Sequence, residues 1–290
     1  MSALTFATAQ LLRVLPRAGL SRLAGELAEL PWSPALGRTI VRLYARAYEV
    51  DLEECVQREG FRSFDEFFTR ALRDGARAVD ARAGVVVSPA DGRLDCTGAV
   101  EPGALFPVKG RNYRGEDLVG DAAEAARYDG GAGCVIYLSP RDYHRVHSPV
   151  DGVVTRVRSL PGDYYPVNSI GLRHVDGLFV RNRRVAIAID TPRESGLGRV
   201  TVVMVAALIV GRISVAGIDA RDVPFGDHAE DPPRKLARGD ELGRFHLGST
   251  VVMFFERGVA HQWLVENGPV RWGQSLCQAD GQRLGRRGSA

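Results

Sequence analysis

The sequence predicts an α+β protein in which short amphipathic N-terminal helices precede a β-rich, largely antiparallel, sheet-like or barrel-like body. Up to about residue 75, apolar residues recur at helical spacing. From about residue 83, short β-branched runs alternate with turns rich in Gly, Pro and Asp. The 290 residues suffice for one large domain or two modest ones. We therefore divide the chain into a helical region, 1–75, and a β-rich region, 76–290.

The N-terminal region is predicted to form several short helices. Two stretches carry apolar residues every three or four positions, namely Leu20, Leu23, Leu27 and Leu30, and then Ile40, Leu43, Tyr44 and Ala47. Prolines between the stretches interrupt the helical pattern. Arginines outnumber acidic residues over the first 50 positions, so these helices either lie on an anionic membrane surface or simply cover the core.

The β-rich region is defined by short apolar runs. Strands are predicted at 85–87, 134–138, 153–157, 185–189, 200–210, 243–246 and 251–255. In contrast, the polar segment 227–234 is predicted to be a loop, and 284–290 a frayed tail.

Composition excludes several classes of protein. The net charge of +3 does not indicate a nucleic-acid partner. The four cysteines are widely spaced without a Cys-x-x-Cys pair, which argues against a disulfide framework or a cysteine zinc site and fits a reducing compartment. No apolar run reaches the roughly 18–20 residues that span a bilayer, and no signal peptide is predicted.

Two segments place acid–base side chains beside predicted strands. Asp91 lies in a Ser-Pro-Ala-Asp-Gly turn, where an aspartate usually bonds its own backbone. His144 and His147 follow the strand that ends at Leu138. A histidine pair serves acid–base chemistry, metal ligation or structure. No third metal ligand is placed by spacing, and the three interpretations remain open.

The third segment is Leu-Gly-Ser-Thr at 247–250, between two predicted strands. Gly248 has no Cβ, so the backbone there can adopt strained dihedrals that bring the Ser249 hydroxyl to the preceding carbonyl. With Asp91 and His147, Ser249 has the composition of a hydrolase triad. However, Val251 replaces the second glycine of a Gly-x-Ser-x-Gly elbow. Self-attack is therefore favoured. A serine hydrolase and a β-rich module that binds metal through its histidines are the alternatives.

In combination these segments resemble phosphatidylserine decarboxylases of the bacterial and mitochondrial type. The matching stretches run in family order, namely FDEFFTRAL (64–72), SPADG (88–92), VKG (108–110), LSPRDYHRVH (138–147), LFVRN (178–182) and LGST (247–250). With the N-terminal helices, the resemblance covers nearly the whole chain. It departs at Arg183, where the family commonly has Glu, and at Ala206 and Arg212, where the pattern often has Gly and Ser. The two arginines either contact phosphate or face solvent.

The resemblance implies a pyruvoyl-dependent lyase of phospholipid biosynthesis that converts phosphatidylserine to phosphatidylethanolamine and CO2. The zymogen would cut itself between Gly248 and Ser249 into a β chain, 1–248, and an α chain, 249–290. Ser249 would become the covalently bound pyruvoyl group and the Schiff-base site. Asp91, His147 and Ser249 would form the charge relay for self-processing, and His144 would act as acid or base in decarboxylation. No metal is implied.

The resemblance also implies partners and a location. The substrate would be phosphatidylserine in an anionic membrane surface, and region 1–75 would associate with that membrane. The protein would be peripheral, on the cytoplasmic side of the cell membrane, with its α and β chains held together. No nucleic-acid partner is expected. The sequence leaves the oligomeric state open, and a homodimer is the assembly considered.

Overall fold

The computed structural model describes residues 16–108, 111–167, 169–208, 212–229, 233–246, 249–257 and 262–279. The start of the helical region, Gly248 and the predicted tail at 284–290 lie outside these residues. So does part of the VKG stretch, at 109–110.

Helices open the described chain and recur between strands. They are α1 Arg17–Glu29, α2 Pro34–Tyr48, α3 Phe64–Phe68, α4 Gly115–Val119, α5 Ala122–Ala126, α6 Ser169–His174 and α7 Leu178–Arg181, with a 3-10 turn at Arg193–Ser195. Serine side chains cap α2 and α3, because Ser33 accepts from the Leu36 N–H and Ser63 from the Glu66 N–H. Among the described residues, no helix is both long and apolar enough to cross a membrane.

The helical region binds the body through ion pairs and has a small apolar core of its own. Arg17, at the start of α1, is bound by Asp163 with an Nη2–Oδ2 distance of 2.6 Å. Phe67 of α3 is fully buried with Val41 and Phe61. In contrast, four leucines face solvent and are 40–57% exposed, namely Leu20, Leu23 and Leu27 of α1 and Leu30, its C-cap. Helical spacing therefore marks an exposed apolar stripe on α1.

Most of the remaining chain forms strands. They are β1 Val85–Val87, β2 Gly92–Ala99, β3 Leu105–Val108, β4 Arg111–Arg114, β5 Ala132–Leu138, β6 Arg145–His147, β7 Gly152–Leu160, β8 Arg184–Asp190, β9 Arg199–Ala206, β10 Arg212–Val215, β11 Gly226–His228, β12 Arg234–Leu236, β13 Glu241–His246, β14 Ser249–Phe255, β15 Gln262–Trp263, β16 Gly268–Val270 and β17 Ser275–Gln278. The predicted strands are confirmed, although β9 ends at Ala206, earlier than the apolar run.

A large antiparallel sheet forms the body. Within the described ranges it has nine strands in the order β11-β7-β8-β9-β14-β5-β2-β16, with β12 also paired to β7. The antiparallel prediction is confirmed, and these strands form an open sheet whose order does not close into a barrel. The polar segment at 227–234 contributes to strands at both of its ends, which corrects the loop prediction.

The central strand β14 lies between β9 and β5 and is buried along its whole length. Its apolar run is therefore nearly continuous instead of alternating, as expected for a strand covered on both faces. The preceding strand, β13, belongs to a separate sheet with the order β10-β13-β6. Residues 247–248 thus join two different sheets.

Candidate active site

The candidate site lies at one edge of the large sheet, where β14 begins. Ser249 is the first residue of β14, opposite Leu138 at the end of β5 and Ala206 at the end of β9. Gly92 begins the next strand outward, β2, so Asp91 precedes that strand at the same edge. The antiparallel register therefore places the ends of β5 and β9 and the start of β2 beside Ser249, although these segments are far apart in the sequence.

Ser249 has a buried hydroxyl without a partner. The residue is 1% exposed, and its Oγ makes no hydrogen bond to the described part of the chain. Leaving a buried polar group unsatisfied costs about 1–3 kcal/mol. Because buried polar groups are almost always paired, such an exception requires an explanation, and a catalytic role is one. Gly248, the other half of the predicted cleavage site, lies outside the described residues.

Asp91 is fixed by an arginine and by the backbone. Arg77 reaches both carboxylate oxygens, with Nε 3.2 Å from each and Nη2 2.5 Å from Oδ2. The Trp272 N–H donates to Oδ1 over 2.9 Å. Asp91 is only 7% exposed, so both contacts are largely shielded from solvent. The carboxylate is therefore rigidly oriented.

His147 is a neutral, well-anchored ring. Its Nδ1 lies 2.8 Å from the Gly239 carbonyl and must donate the proton, because a carbonyl only accepts. Its Nε2 is therefore the acceptor in the neutral ring and lies 3.1 Å from the Tyr143 hydroxyl. The ring also stacks on Trp272, with centroids 4.0 Å apart. Burial lowers the pKa of His147, against opposing contributions from the Gly239 carbonyl and Glu241.

His144 has a free ring nitrogen. The residue is completely buried, and its Nδ1 donates to the Asp142 carbonyl over 2.7 Å. Its Nε2 is buried and makes no hydrogen bond to any described residue. Burial lowers the pKa of His144 to about 3, so Nε2 carries a lone pair at neutral pH. Phe68 covers the ring, with centroids 4.0 Å apart.

The two histidines occupy different positions along β13. His147 pairs with Glu241 near the start of that strand, whereas the His144 carbonyl accepts from the Phe245 N–H near its end. The end of β13 leads into residues 247–248. His144 is therefore closer in register than His147 to the predicted cleavage segment.

The structure brings the sequence-predicted residues together only in part. Asp91 and His147 meet at Trp272, which donates its N–H to one and stacks on the other. Among the described residues, however, no hydrogen bond joins His147 to Asp91 or to Ser249. The assigned roles of these residues remain predictions.

Three residues that contact Asp91 or His147 were not predicted individually from the sequence. They are Arg77, Tyr143 and Trp272, and only Tyr143 lies inside a motif that the resemblance uses. Arg77 and Trp272 lie outside these motifs, and nothing local in the sequence signals that they contact Asp91.

Asp142 is a further, half-buried carboxyl at the same edge. The Ser139 N–H and hydroxyl both donate to its Oδ2 over 2.7 Å. Burial nevertheless raises the pKa of Asp142, and the negative charge of Asp91 adds to this effect. Asp142 lines a cleft of about 670 Å³ together with Tyr137, Ser139 and Leu172. A perturbed carboxyl in a cleft is a common mark of a functional site.

The departures from the family pattern are structural contacts. Arg183 is 1% exposed, pairs with Asp222 and donates to the Val223 carbonyl over 2.7 Å. Arg212 pairs with Glu29 of α1 and donates to the Gly25 carbonyl over 2.9 Å. Arg183 is buried, and Arg212 fastens the first helix to the sheet of β10, so neither faces open solvent.

The described residues contain no group of three or more His, Cys, Asp and Glu side chains that could hold a metal ion. Within the site, His144 and His147 both direct Nδ1 at backbone carbonyls.

Comparison with known sequences assigns the family. The family model described as phosphatidylserine decarboxylase matches residues 64–278, from α3 to β17. This span includes all four candidate site residues, namely Asp91, His144, His147 and Ser249. The chain belongs to the phosphatidylserine decarboxylase family, and it is therefore a decarboxylase.

Individual relatives agree with this assignment. The phosphatidylserine decarboxylase proenzyme of Anaeromyxobacter sp. (strain K) is 42% identical over 257 residues, 86% of this chain and 89% of the relative. The proenzyme of Azotobacter vinelandii is 39% identical over 280 residues, 92% of this chain and 96% of the relative. That of Myxococcus xanthus is 37% identical over 282 residues, 96% of both chains.

Proposed function

We propose that this chain is made as a proenzyme, cuts itself between Gly248 and Ser249, and decarboxylates phosphatidylserine with a pyruvoyl group made from Ser249. The observation that carries the proposal is the buried, unpartnered Oγ of Ser249 directly after Gly248. The printed names of the relatives, phosphatidylserine decarboxylase proenzymes, agree with both processing and substrate.

Self-cleavage begins with the Ser249 hydroxyl. Its oxygen attacks the Gly248 carbonyl carbon, the amide bond to the Ser249 nitrogen breaks, and an internal ester forms as that nitrogen takes up a proton. A base then removes the Ser249 α-proton, and the ester oxygen leaves from Cβ as the Gly248 carboxylate. Water hydrolyses the resulting dehydroalanine, through its imine tautomer, to a ketone and ammonia. A pyruvoyl end is left on the α chain.

The sheet provides a way to hold both products. Every residue of β14 is paired with β5 on one side and with β9 on the other. After cleavage the α chain, 249–290, would retain these ladders while β13 remained in the β chain, 1–248. A cut at 248–249 separates strands of two different sheets and removes no pairing from β14.

We assign the processing roles to Asp91 and His147. The neutral Nε2 of His147 is the base that would take the Ser249 hydroxyl proton, once the Tyr143 hydroxyl has moved from it. Asp91 makes no hydrogen bond to His147 among the described residues, so it would act by orienting Trp272 and by its negative charge. Trp272 thus replaces the direct acid–base hydrogen bond of a triad, because its backbone N–H bonds Asp91 and its indole stacks on His147.

We assign the decarboxylation role to His144. When present, the pyruvoyl group supplies the electron sink that loss of CO2 requires. His144 has an unprotonated Nε2 that no described residue occupies, so it can hold and move a proton near the reacting carbon. The cleft of about 670 Å³ at Asp142 and Tyr137 has the volume for a phospholipid headgroup.

We further propose that the protein works peripherally at the cytoplasmic face of the cell membrane and associates as a homodimer. The exposed leucines of α1 support membrane contact, because an amphipathic helix buries such a face in the interface. Region 1–75 would then be the membrane-association region, and 76–290 the catalytic domain.

Intact-mass spectrometry of the denatured wild-type protein tests the central claim. We expect two chains that divide at 248–249, with the small chain lighter by one ammonia than the peptide 249–290 with an unmodified N-terminal serine. Ser249→Ala should give a folded, uncut and inactive chain. One uncut wild-type chain that reacts with a fluorophosphonate probe would instead support the serine hydrolase alternative.

A further inference from the structure

A second cavity lies between the helical region and the sheet that contains β13. It has a volume of about 440 Å³ and shares no lining residue with the cleft at Asp142. Its charged lining residues are Arg62, Arg70, Arg145, Arg221, Arg244, Glu29, Asp65 and Glu66. Arginine is therefore the commonest charged residue around this space, which we call the arginine pocket.

The acidic residues of the arginine pocket are already engaged. Asp65 accepts from Nδ1 of His246 over 2.8 Å. Glu66 is bound by Arg62 with an Nη2–Oε1 distance of 3.1 Å. Glu29 is shared by two guanidinium groups, one of which belongs to Arg221. These carboxylates thus have limited capacity to neutralise the remaining arginines.

Two of those arginines share one carboxylate. Arg145 donates from Nη1 to Oε2 of Glu241 over 2.8 Å, and Nε of Arg244 bonds the other oxygen of the same group. Arg145 also donates to the Thr69 carbonyl over 2.9 Å. Two positive charges beside one negative charge leave a net positive potential at this wall of the pocket.

Arg70 has the strongest unmet demand for an anion. It is 5% exposed, and among the described residues neither its Nε nor its Nη1 has a hydrogen-bond partner. Its Nη2 reaches the Arg141 carbonyl over 3.4 Å, and the guanidinium lies over the Phe67 ring, 5.3 Å from its centroid. No carboxylate in the described ranges forms an ion pair with it. Burying an unpaired guanidinium is expensive, and its planar fork matches the oxygens of a phosphate.

We propose that the arginine pocket is a binding site for a phosphate-type oxyanion, with Arg70, Arg145 and Arg244 as its ligands. The anion is either the phosphodiester of an anionic lipid that is not the substrate or free phosphate. The lipid source fits the surroundings, because Glu29 of the pocket lies on α1 between the exposed Leu27 and Leu30. A phospholipid held there would tie the membrane-facing helix to the catalytic domain.

Isothermal titration calorimetry on the purified wild-type protein tests the site. Inorganic phosphate and short-chain dihexanoyl phosphatidylglycerol are titrated separately at constant ionic strength. We expect one equivalent of at least one of them to bind, and Arg70→Gln and Arg244→Gln each to weaken binding by about tenfold or more, which corresponds to about 1.4 kcal/mol. Tighter binding of the lipid identifies the membrane source, and binding of inorganic phosphate alone identifies the free anion.

Arg114→Gln is the matched control, because Arg114 is an exposed arginine paired with Glu116 outside the pocket. It removes the same charge and should leave the affinity unchanged. If Arg70→Gln does not fold, Arg244→Gln carries the test, since the Arg244 side chain is 39% exposed. No binding of either ligand to the wild-type protein, or wild-type affinity in the folded pocket variants, would overturn the proposal.

Discussion

The indole of Trp272 stacks on the imidazole of His147, with ring centroids 4.0 Å apart and planes 9° from parallel. The same residue donates its backbone N–H to Asp91. Trp272 lies in the segment predicted to become the α chain, whereas the other two residues lie in the predicted β chain. The acid and the base that we assign to processing are therefore held in position by a residue of the predicted α chain, which would stay bound to the β chain after the cut.

Removing the indole should slow self-cleavage. Trp272→Ala deletes the surface that orients the His147 ring but keeps the main-chain donor to Asp91. We expect the processing rate to fall by about tenfold or more, about 1.4 kcal/mol of transition-state free energy. The fraction of cut chain is followed by intact mass after cell-free synthesis. Trp263→Ala is the control, because Trp263 contacts Phe255 away from the histidines. Equal rates for the two variants would contradict the assigned role.

Acid should destabilise the fold by protonating buried histidines. The pKa of His144 is about 3 in the folded state and 6.5 when unperturbed, and the folded-state pKa of His147 is also lowered. Below about pH 6.5, the unfolded chain takes up protons that the folded chain excludes. The free energy of unfolding should therefore decrease as the pH is lowered below about 6.5, by about 1.4 kcal/mol per pH unit for each proton. Above about pH 7 it should no longer depend on these histidines.

Urea unfolding between about pH 5.5 and 7 measures this effect mostly above the unperturbed pKa values of carboxylates, about 3.9 and 4.3. The uncut Ser249→Ala protein is the reference, because a single chain unfolds without dissociation. Adding His144→Phe should make the dependence on pH shallower. An unchanged slope would mean that His144 is not a buried neutral group in solution.

The sequence was sufficient for the elements whose pattern is local. Apolar runs identified β5, β8 and β14, because buried strands are continuously hydrophobic. It failed for β11 and β12, whose polar residues pair along β7 at the edge of the sheet. Pairing there depends on tertiary contacts such as that between Arg158 and Asp227, with an Nε–Oδ1 distance of 2.5 Å. The β-propensity of residues 226–236 does not report such contacts with β7.

The same distinction applies to the candidate site. Motifs marked Asp91, His144, His147 and Ser249, each within a short run of recognisable residues. The bond from Trp272 to Asp91 spans 181 positions, and no periodicity reports a contact of that length. Likewise, the unpartnered nitrogens of Arg70 become visible only when its burial and neighbours are known.

The exposed stripe on α1 should control membrane binding. Leu23 and Leu27 are 52% and 57% exposed, so replacing both with Gln should leave the fold intact. Fully burying one leucine contributes about 1.5–3 kcal/mol, and the double variant should bind vesicles of phosphatidylcholine and phosphatidylglycerol at least about tenfold more weakly. Sedimentation with sucrose-loaded vesicles gives the bound fraction. Phe225→Gln changes an exposed apolar residue outside the helices and is the control. Equal binding of all three proteins would exclude this stripe as the contact.

The two histidines should affect different steps. Gln keeps a polar side chain of comparable size but cannot exchange a proton at neutral pH, so matched His144→Gln and His147→Gln variants separate base chemistry from packing. The His147 variant should remain uncut, because the base for the Ser249 hydroxyl is lost. The His144 variant should be cut and contain the pyruvoyl end, but decarboxylate phosphatidylserine about 100-fold or more slowly, as expected for loss of an acid–base group.

Intact mass reports the cut, and release of CO2 from carboxyl-labelled phosphatidylserine reports turnover. Comparing the two readouts for each variant is decisive, because a loss of folding would abolish both together. Uncut His144→Gln alongside normally cut His147→Gln would reverse the assignment. That outcome has a structural basis, since Nε2 of His144 is free among the described residues and its carbonyl is bonded to Phe245, near the end of β13. His147, with Nε2 already bonded to Tyr143, would then be a structural support for the site.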